Sequence, residues 1–179
     1  MSSPALSSVL HGVLDELPGA ELRPVRDTDA DGLIALVDEA YRQYPGCVLD
    51  LPGVDADLVT PATSAAEAGI TLWVVTHDGS VVASVGAGPR SDDGVVELKR
   101  LYVAASHRRR GLAAGLVEQV ERYALDVGAS VVELWSDTRF EDAHRLYRRC
   151  GYRSTGRTRD LNDPSNTTEY HFRRSLADT

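Results

Sequence analysis

Between residues 95 and 128 the sequence runs from a strand through a basic turn into a helix. The segment VVELKRLYV predicts the strand, and Leu112, Leu116 and Val120 recur at helical spacing until Gly128 ends the helix. The turn HRRRG holds three consecutive arginines, although the formal net charge of the chain is −8. A helix that starts directly after a strand presents its free N–H groups to the turn, where they attract anions. This feature indicates a mixed α/β fold with an anion site at the turn.

The rest of the chain predicts a single domain with the element order β-α-(loops)-β-β-β-α-β-α-β-β. Two valine-rich runs flank Asp78-Gly79, which suits a tight hairpin turn. The apolar segment SVVELW is typical of a strand buried on both faces. We therefore expect an α/β (α+β) fold whose mixed, mostly antiparallel sheet has helices on both faces.

The first part of the chain divides into an N-terminal extension and the start of the main domain. Residues 1–20 have the periodicity of an amphipathic helix, and residues 21–179 are assigned to the main domain. Asp27 or Thr28 is expected to cap the first helix of that domain. Residues 45–69 show little periodicity and predict a long, loop-rich excursion.

Composition argues against several classes of protein, among them a nucleic-acid or ribosome-associated protein that would use the arginines, which stays open as an alternative. With 19 Lys and Arg against 27 Asp and Glu, the chain lacks the broad basic face that binds nucleic acid. No apolar run approaches the roughly 20 residues that span a membrane. Cys47 and Cys150 have no metal-ligand spacing, so no metal site is predicted. The chain start has no basic signal region, and we expect a cytoplasmic protein.

Small residues surround the basic turn. Gly111, Ala113, Ala114 and Gly115 would let a phosphate approach the backbone, and the arginines would add charge around it. A polyphosphate, most naturally a pyrophosphate, fits such a turn. The alternative is that the arginines are a solvated surface and the small residues serve helix packing. The chain has neither a P-loop nor a GxGxxG motif after its first strand.

Two motifs in this half of the chain resemble the GNAT superfamily of N-acetyltransferases. The acetyl-CoA signature [RQ]-x-x-G-x-[GA] is matched by Arg108, Gly111 and Ala113. The later element A-x-x-LY-x-x-x-G[FY] begins at Ala143 and includes Tyr147. Together they cover about residues 95 to 152. The resemblance implies an N-acetyltransferase domain over residues 21–179 with acetyl-CoA as cofactor.

The same resemblance implies which residues hold coenzyme A. Its pyrophosphate would lie on backbone N–H groups of the turn, and its pantetheine arm would run beside the preceding strand. Asp137 stands where many relatives have an asparagine that meets pantetheine, and a carboxylate lacks the amide donor. The cofactor-binding residues implied are Leu101, Tyr102, Val103, Arg108, Arg109, Arg110, Gly111, Leu112, Ala113, Ala114, Asp137 and Ala143.

Acetyl transfer to an amine requires two proton movements, and the resemblance supplies a residue for each. Tyr147 matches a tyrosine whose hydroxyl donates a proton to the departing sulfur. Glu97 has the spacing of a glutamate that deprotonates the amine through water, and an alternating strand would place it on one face with Lys99, Leu101 and Val103. A Glu97–Lys99 surface ion pair is the alternative for Glu97, and a core aromatic is the alternative for Tyr147.

The function implied is acetyl transfer from acetyl-CoA to an amine by direct attack in a ternary complex. A non-catalytic acyl-CoA-binding module with the same fold is the alternative. For the N-terminal helix the alternatives are a cover for the core and a contact in a homodimer.

The acceptor is predicted from how charge is divided along the chain. Between Arg42 and Arg90 there is no lysine or arginine, whereas Asp50, Asp55 and Asp57 fall there. In the GNAT arrangement this excursion walls the acceptor side, and the basic residues from 99 to 110 would lie on the cofactor side. The division predicts a positively charged small polar amine or peptide amino group as acceptor. The alternative is that these acids only solvate a loop.

Overall fold

The computed structural model describes residues 8–176, which form one mixed sheet of seven strands in the order β1-β2-β3-β4-β5-β7-β6. Only β4 and β5 pair in parallel, and every other neighbouring pair is antiparallel. The predicted fold class is confirmed. The strands are β1 (Glu21–Pro24), β2 (Thr71–His77), β3 (Ser80–Ala87), β4 (Val95–Val103), β5 (Val131–Asp137), β6 (Arg153–Asp160) and β7 (Thr168–Ser175).

Helices cover both faces of the sheet. Alternation along β2 separates two apolar clusters, because Trp73 and Val75 pack with α1, α4 and α5 while Val74 packs with α2. No helix in the described part of the chain is long and apolar enough to cross a membrane. The helices are α1 (Ser8–Asp15), α2 (Ala30–Tyr41), α3 (Pro61–Glu67), α4 (Leu112–Asp126) and α5 (Glu141–Arg149).

The N-terminal helix α1 packs directly on α4. Leu10 is fully buried, and a Cβ atom at Gly115 would lie 2.9 Å from the Cα of Leu10. Glu118 of α4 also accepts a hydrogen bond from the N–H of Val9 at 3.2 Å. Gly115 therefore allows α1 and α4 to pack closely, which is the alternative role given above for the small residues. The helix α1 is part of the core.

The hairpin prediction is confirmed, the excursion is loop-rich apart from short helical segments, and two local predictions are wrong. Asp78 and Gly79 both have positive φ, as a tight turn between β2 and β3 requires. The excursion over 45–69 contains α3, whose N-terminal N–H groups bond to the Asp27 carboxylate at 2.8 and 3.0 Å. Asp27 caps α3 rather than α2, because a 3-10 turn (Asp27–Asp29) precedes α2. The strand β5 alternates between buried and half-buried residues, so its two faces are not equally covered.

A bulge and a parting of strands shape the centre of the sheet. The pairing of β3 with β4 shifts register near Arg100, which has a φ of 52°. The parallel pairing of β4 with β5 ends at Leu98 and Leu134. Beyond that point the two strands diverge, and the cleft between them opens into the candidate site.

Candidate active site

The cleft between β4 and β5 continues into a cavity of about 700 Å³. Side chains of α2, α5 and the β6–β7 hairpin complete its wall. The two predicted catalytic residues, Tyr147 and Glu97, both line it. The structure thus brings together residues that lie 50 positions apart in the sequence.

Residues 108–114, here called the phosphate turn, form one end of this site. In the described part of the chain, the N–H groups of Arg109 through Ala114 donate to no backbone carbonyl. Arg109 and Gly111 have positive φ, at 64° and 83°. These two left-handed residues reverse the chain so that the N–H groups converge at the start of α4. The turn has the free donors that an anion requires.

The arginines of the phosphate turn have different surroundings. Arg108 donates from Nε to the Val103 carbonyl at 2.9 Å and also bonds to Gln43, so it braces the turn against β4. Arg109 lines both the main cavity and a neighbouring recess of about 380 Å³, whereas Arg110 lines neither. Arg149 of α5 also lines the recess, and the sequence motifs gave no signal for it.

The backbone of β4 between the bulge and the turn faces two directions. The N–H of Ala104 donates to Val82 of β3 at 2.8 Å. Backbone groups alternate along an antiparallel strand, so those of Tyr102 also point to β3. Those of Leu101 and Val103 point into the cleft. Leu101, Tyr102 and Val103 were predicted to offer backbone hydrogen bonds to the cofactor. Leu101 and Val103 direct their backbone groups to the cavity, whereas Tyr102 lines it with its side chain.

Tyr147 is buried, with 6% of its surface exposed, and its ring packs near Tyr152 and Phe172. Burial raises the pKa of Tyr147, with a further increase from the nearby Tyr102. The hydroxyl therefore stays protonated at neutral pH. No hydrogen bond joins it to another described residue, so its proton is available to a ligand in the cavity.

Two more tyrosines, Tyr41 and Tyr102, also line the cavity. The hydroxyls of Tyr41 and Tyr102 are 3.3 Å apart, and that of Tyr41 lies 3.5 Å from the buried Asp55 carboxylate. Burial raises the pKa of Tyr41 and of Tyr102. Both remain neutral hydrogen-bonding groups. No sequence motif identified Tyr41 as a site residue.

Glu97 lines the cavity and also forms the ion pair that was its alternative role. The Lys99 ammonium lies 2.9 Å from its carboxylate. The expected shared face with Leu101 and Val103 is wrong, because the bulge at Arg100 reverses the alternation. Those two residues pack in the α4 cluster, on the face opposite Glu97.

Asp137 and Ala143 both line the cavity. The Asp137 carboxylate accepts hydrogen bonds from the Arg139 Nε at 2.9 Å and from the Arg139 N–H at 2.9 Å. It also receives the Arg139 Nη2 at 2.6 Å and lies 3.8 Å from the Cys47 sulfur. Its oxygens are thus taken up by the loop that follows β5.

The acids of the excursion do not provide the free negative charge that was predicted. The Arg100 Nη1 donates to Asp55 at 2.8 Å, and its Nε donates to Asp57 at 3.1 Å. Arg100 points toward the excursion because of the bulge, so its assignment to the cofactor side is wrong. The Asp50 carboxylate accepts the N–H of Val54 at 3.3 Å. These contacts remove the basis for attracting a purely cationic acceptor with these acids.

The sheet is open and mixed, and β4 and β5 separate beside the cavity. With the phosphate turn directly after β4, this arrangement defines an α/β protein that binds a phosphate-bearing cofactor beside a reaction cavity. A model of the acetyltransferase (GNAT) family matches residues 33–152. The chain belongs to the GNAT family of acetyltransferases.

Relatives and solved structures agree with this family. The chain is 33% identical over 126 residues to an N-acetylaspartate synthetase of Danio rerio, covering 69% of this chain and 43% of the relative. It is 36% identical over 96 residues to human N-acetyltransferase 8, covering 51% of this chain and 42% of the relative. The chain therefore spans about two fifths of the length of these relatives.

Solved structures share the fold at low sequence identity. A GNAT-family acetyltransferase of Staphylococcus aureus Mu50 superposes with a TM-score of 0.74 at 17% identity, covering 88% of this chain and 99% of that one. The Salmonella typhimurium protein yncA, solved with its cofactor acetyl-CoA, superposes with a TM-score of 0.64 at 17% identity, covering 90% and 96%.

Proposed function

We propose that this protein transfers the acetyl group of acetyl-CoA to an amine by direct attack in a ternary complex. One observation carries the proposal: Arg109 and Ala113 of the phosphate turn, whose backbone N–H groups are free, line the same cavity as Tyr147. A phosphate-bearing ligand anchored at the turn and extended along β4 reaches Tyr147.

The residues present suit coenzyme A. The N–H groups of Arg109 through Ala114 would hold the pyrophosphate, with Arg109 and Arg149 adding positive charge. The cleft-facing backbone of Leu101 and Val103 would bond to the linear arm. When bound, acetyl-CoA supplies an activated acyl group whose sulfur needs a proton as it leaves.

Protons are handled by two side chains in this proposal. The buried Tyr147 hydroxyl, protonated at neutral pH, donates a proton on the cofactor side. The Glu97 carboxylate, on the acceptor side of the cavity, accepts a proton from the amine through water. Lys99 keeps that carboxylate in place by its ion pair.

Acetyl-CoA turnover with a panel of amines tests the function. Purified protein is incubated with acetyl-CoA and each amine, the released thiol is measured, and the product is identified by mass spectrometry. We expect thiol release and acetylated product that require both protein and amine. Calorimetric binding of acetyl-CoA without any acetylated product would instead support the non-catalytic acyl-CoA-binding module.

The role of Glu97 is tested by Glu97→Gln. We expect kcat to fall about tenfold at neutral pH, and the loss to shrink at high pH because more of the amine is already deprotonated. Glu133→Gln is a matched control, since Glu133 pairs with Glu97 in the β4–β5 register but contacts His171 outside the cavity. A constant ratio of the Glu97→Gln and wild-type rates across pH would contradict a base at Glu97.

A further inference from the structure

Four charged side chains of alternating sign line the cavity. We call Lys99, Glu97, Arg159 and Glu169 the charged quartet. Glu97 Oε1 lies 2.9 Å from Lys99 Nζ and 4.0 Å from Arg159 Nη2, and Arg159 Nε donates to Glu169 Oε2 at 2.6 Å. Glu97 lies six residues before Val103 on β4, about 20 Å along an extended strand. The charged quartet therefore belongs to the acceptor rather than to the phosphates.

Arg159 is held in a fixed orientation. Its guanidinium carbon lies 4.4 Å from the centroid of the Trp135 ring, and its Nε is bonded to Glu169. Trp135 in turn packs on the buried His171 at 4.6 Å between ring centroids. An arginine stacked on one face and anchored at Nε presents its two terminal nitrogens in one plane, the geometry that binds a carboxylate through two bonds.

The charged quartet keeps unused hydrogen-bonding capacity. Among residues 8–176, neither terminal nitrogen of Arg159 donates a hydrogen bond, although Nη2 lies 4.0 Å from Glu97, and Lys99 bonds only to Glu97. All four side chains line the cavity, and their formal charges sum to zero. A ligand that carries both a positive and a negative group can satisfy both signs at once.

We infer that the acceptor is a small amino-acid-like molecule, with a carboxylate beside the amino group that is acetylated. This inference rests on the proposed acetyl transfer. Arg159 and Lys99 bind the carboxylate, and Glu97 faces the amino group. The ammonium group first loses one proton to Glu97 through water, and the neutral nitrogen then bonds to the acetyl carbon. The carbon–sulfur bond breaks, the sulfur takes a proton from Tyr147, and the second proton of the nitrogen passes through water to restore the Tyr147 hydroxyl, while Glu97 releases its proton to solvent.

Acceptors of other charge fit this end less well. A polyamine would bring only positive charge to Lys99 and Arg159, and like charges at this range repel. An internal lysine of a protein has no carboxylate of its own to pair with the free terminal nitrogens of Arg159. An acceptor without a carboxylate would leave these donors to water and gain no charge-assisted bond from them.

Matched amines test the inference. Acetyl transfer is measured for a set of amino acids and for the same molecules without the carboxylate. We expect kcat/KM to be at least about tenfold higher for members that keep the carboxylate. Arg159→Gln is expected to raise KM for the amino acids about tenfold or more and to leave KM for acetyl-CoA within about twofold.

A second arginine of the same strand provides the control. Arg153 is exposed on β6 and does not line the cavity, so Arg153→Gln should match the wild type for every amine. Equal use of both members of each pair, or an unchanged KM in folded Arg159→Gln, overturns the inference while the acetyltransferase function stands. Absence of turnover with every amine, with or without a carboxylate, overturns both.

Discussion

The phosphate turn and the charged quartet lie at opposite ends of one cavity and are built from different parts of the polypeptide. The turn is a single stretch whose ligand groups are backbone N–H donors. The charged quartet is made of side chains from β4, β6 and β7, with Trp135 of β5 behind it. Most substitutions in the turn leave its backbone N–H donors in place. In the charged quartet, a single substitution removes a binding group. The proposed cofactor end is therefore set by local conformation and the proposed acceptor end by tertiary placement.

The largest effect is expected from a β-carbon in the phosphate turn. Gly111 has a φ of 83°, which a valine adopts only with strain, and its Cβ would lie 3.2 Å from Val13. In Gly111→Val the N–H groups of the turn should lose their common direction. We expect the acetyl-CoA Kd, measured by calorimetry, to rise at least about 100-fold, since several charge-assisted hydrogen bonds are lost together.

A neighbouring glycine separates this effect from loss of stability. Gly115→Ala places a Cβ 2.9 Å from the Cα of Leu10 and should reduce the free energy of unfolding by about 1–3 kcal/mol through overpacking. Its acetyl-CoA Kd should stay near the wild-type value, because the N–H of Gly115 already bonds to Gly111. Equal affinity in folded Gly111→Val and wild type would contradict a backbone phosphate site.

Tyr147 stands between the two ends, and its substitution is expected to have the next largest effect. Tyr147→Phe keeps the packing on Phe172 and removes the proton donor. We expect kcat to fall about 100-fold, whereas the Kd of acetyl-CoA stays within about twofold. Tyr152→Phe is the control, because that ring is buried and does not line the cavity. Wild-type turnover in Tyr147→Phe would make the residue a core aromatic.

The smallest effect on binding is expected at Asp137. Its carboxylate bonds to Arg139, so in Asp137→Asn the free energy of unfolding should fall by about 1–3 kcal/mol. The Kd of acetyl-CoA should change by no more than about twofold, since the carboxylate is not free to meet it. Denaturant unfolding and calorimetry measure the two quantities. A large change in affinity would show that position 137 bonds to the cofactor through its side chain.

The fold and the position of the phosphate turn could be predicted from sequence because their signals are local. Patterns within a few residues predict the strand β4, the end of α4 at Gly128 and the hairpin turn at Asp78-Gly79. The motif residues Arg108, Gly111 and Ala113 lie within one turn. Such patterns can be recognised without knowledge of the tertiary structure.

The acceptor end could not be predicted because its contacts join distant segments. Arg159 meets Trp135 across β7, and Arg100 meets Asp55 across 45 positions of sequence. The bulge at Arg100 reverses the alternation that the sequence pattern assumed for β4. The distribution of charge along the sequence therefore predicted unpaired acids where the structure has ion pairs. Ion pairs depend on which side chains the fold brings together.

The parting of β4 from β5 leaves an edge strand in the interior of a sheet. Exposed strand edges recruit other strands and promote aggregation. At the outer edge of this sheet, β6 is exposed along its whole length and carries arginines, which discourage such pairing. The inner edge lies instead beside the cavity that Tyr147 and Phe140 line. A linear ligand such as the proposed pantetheine arm would pair with this inner edge as a neighbouring strand would.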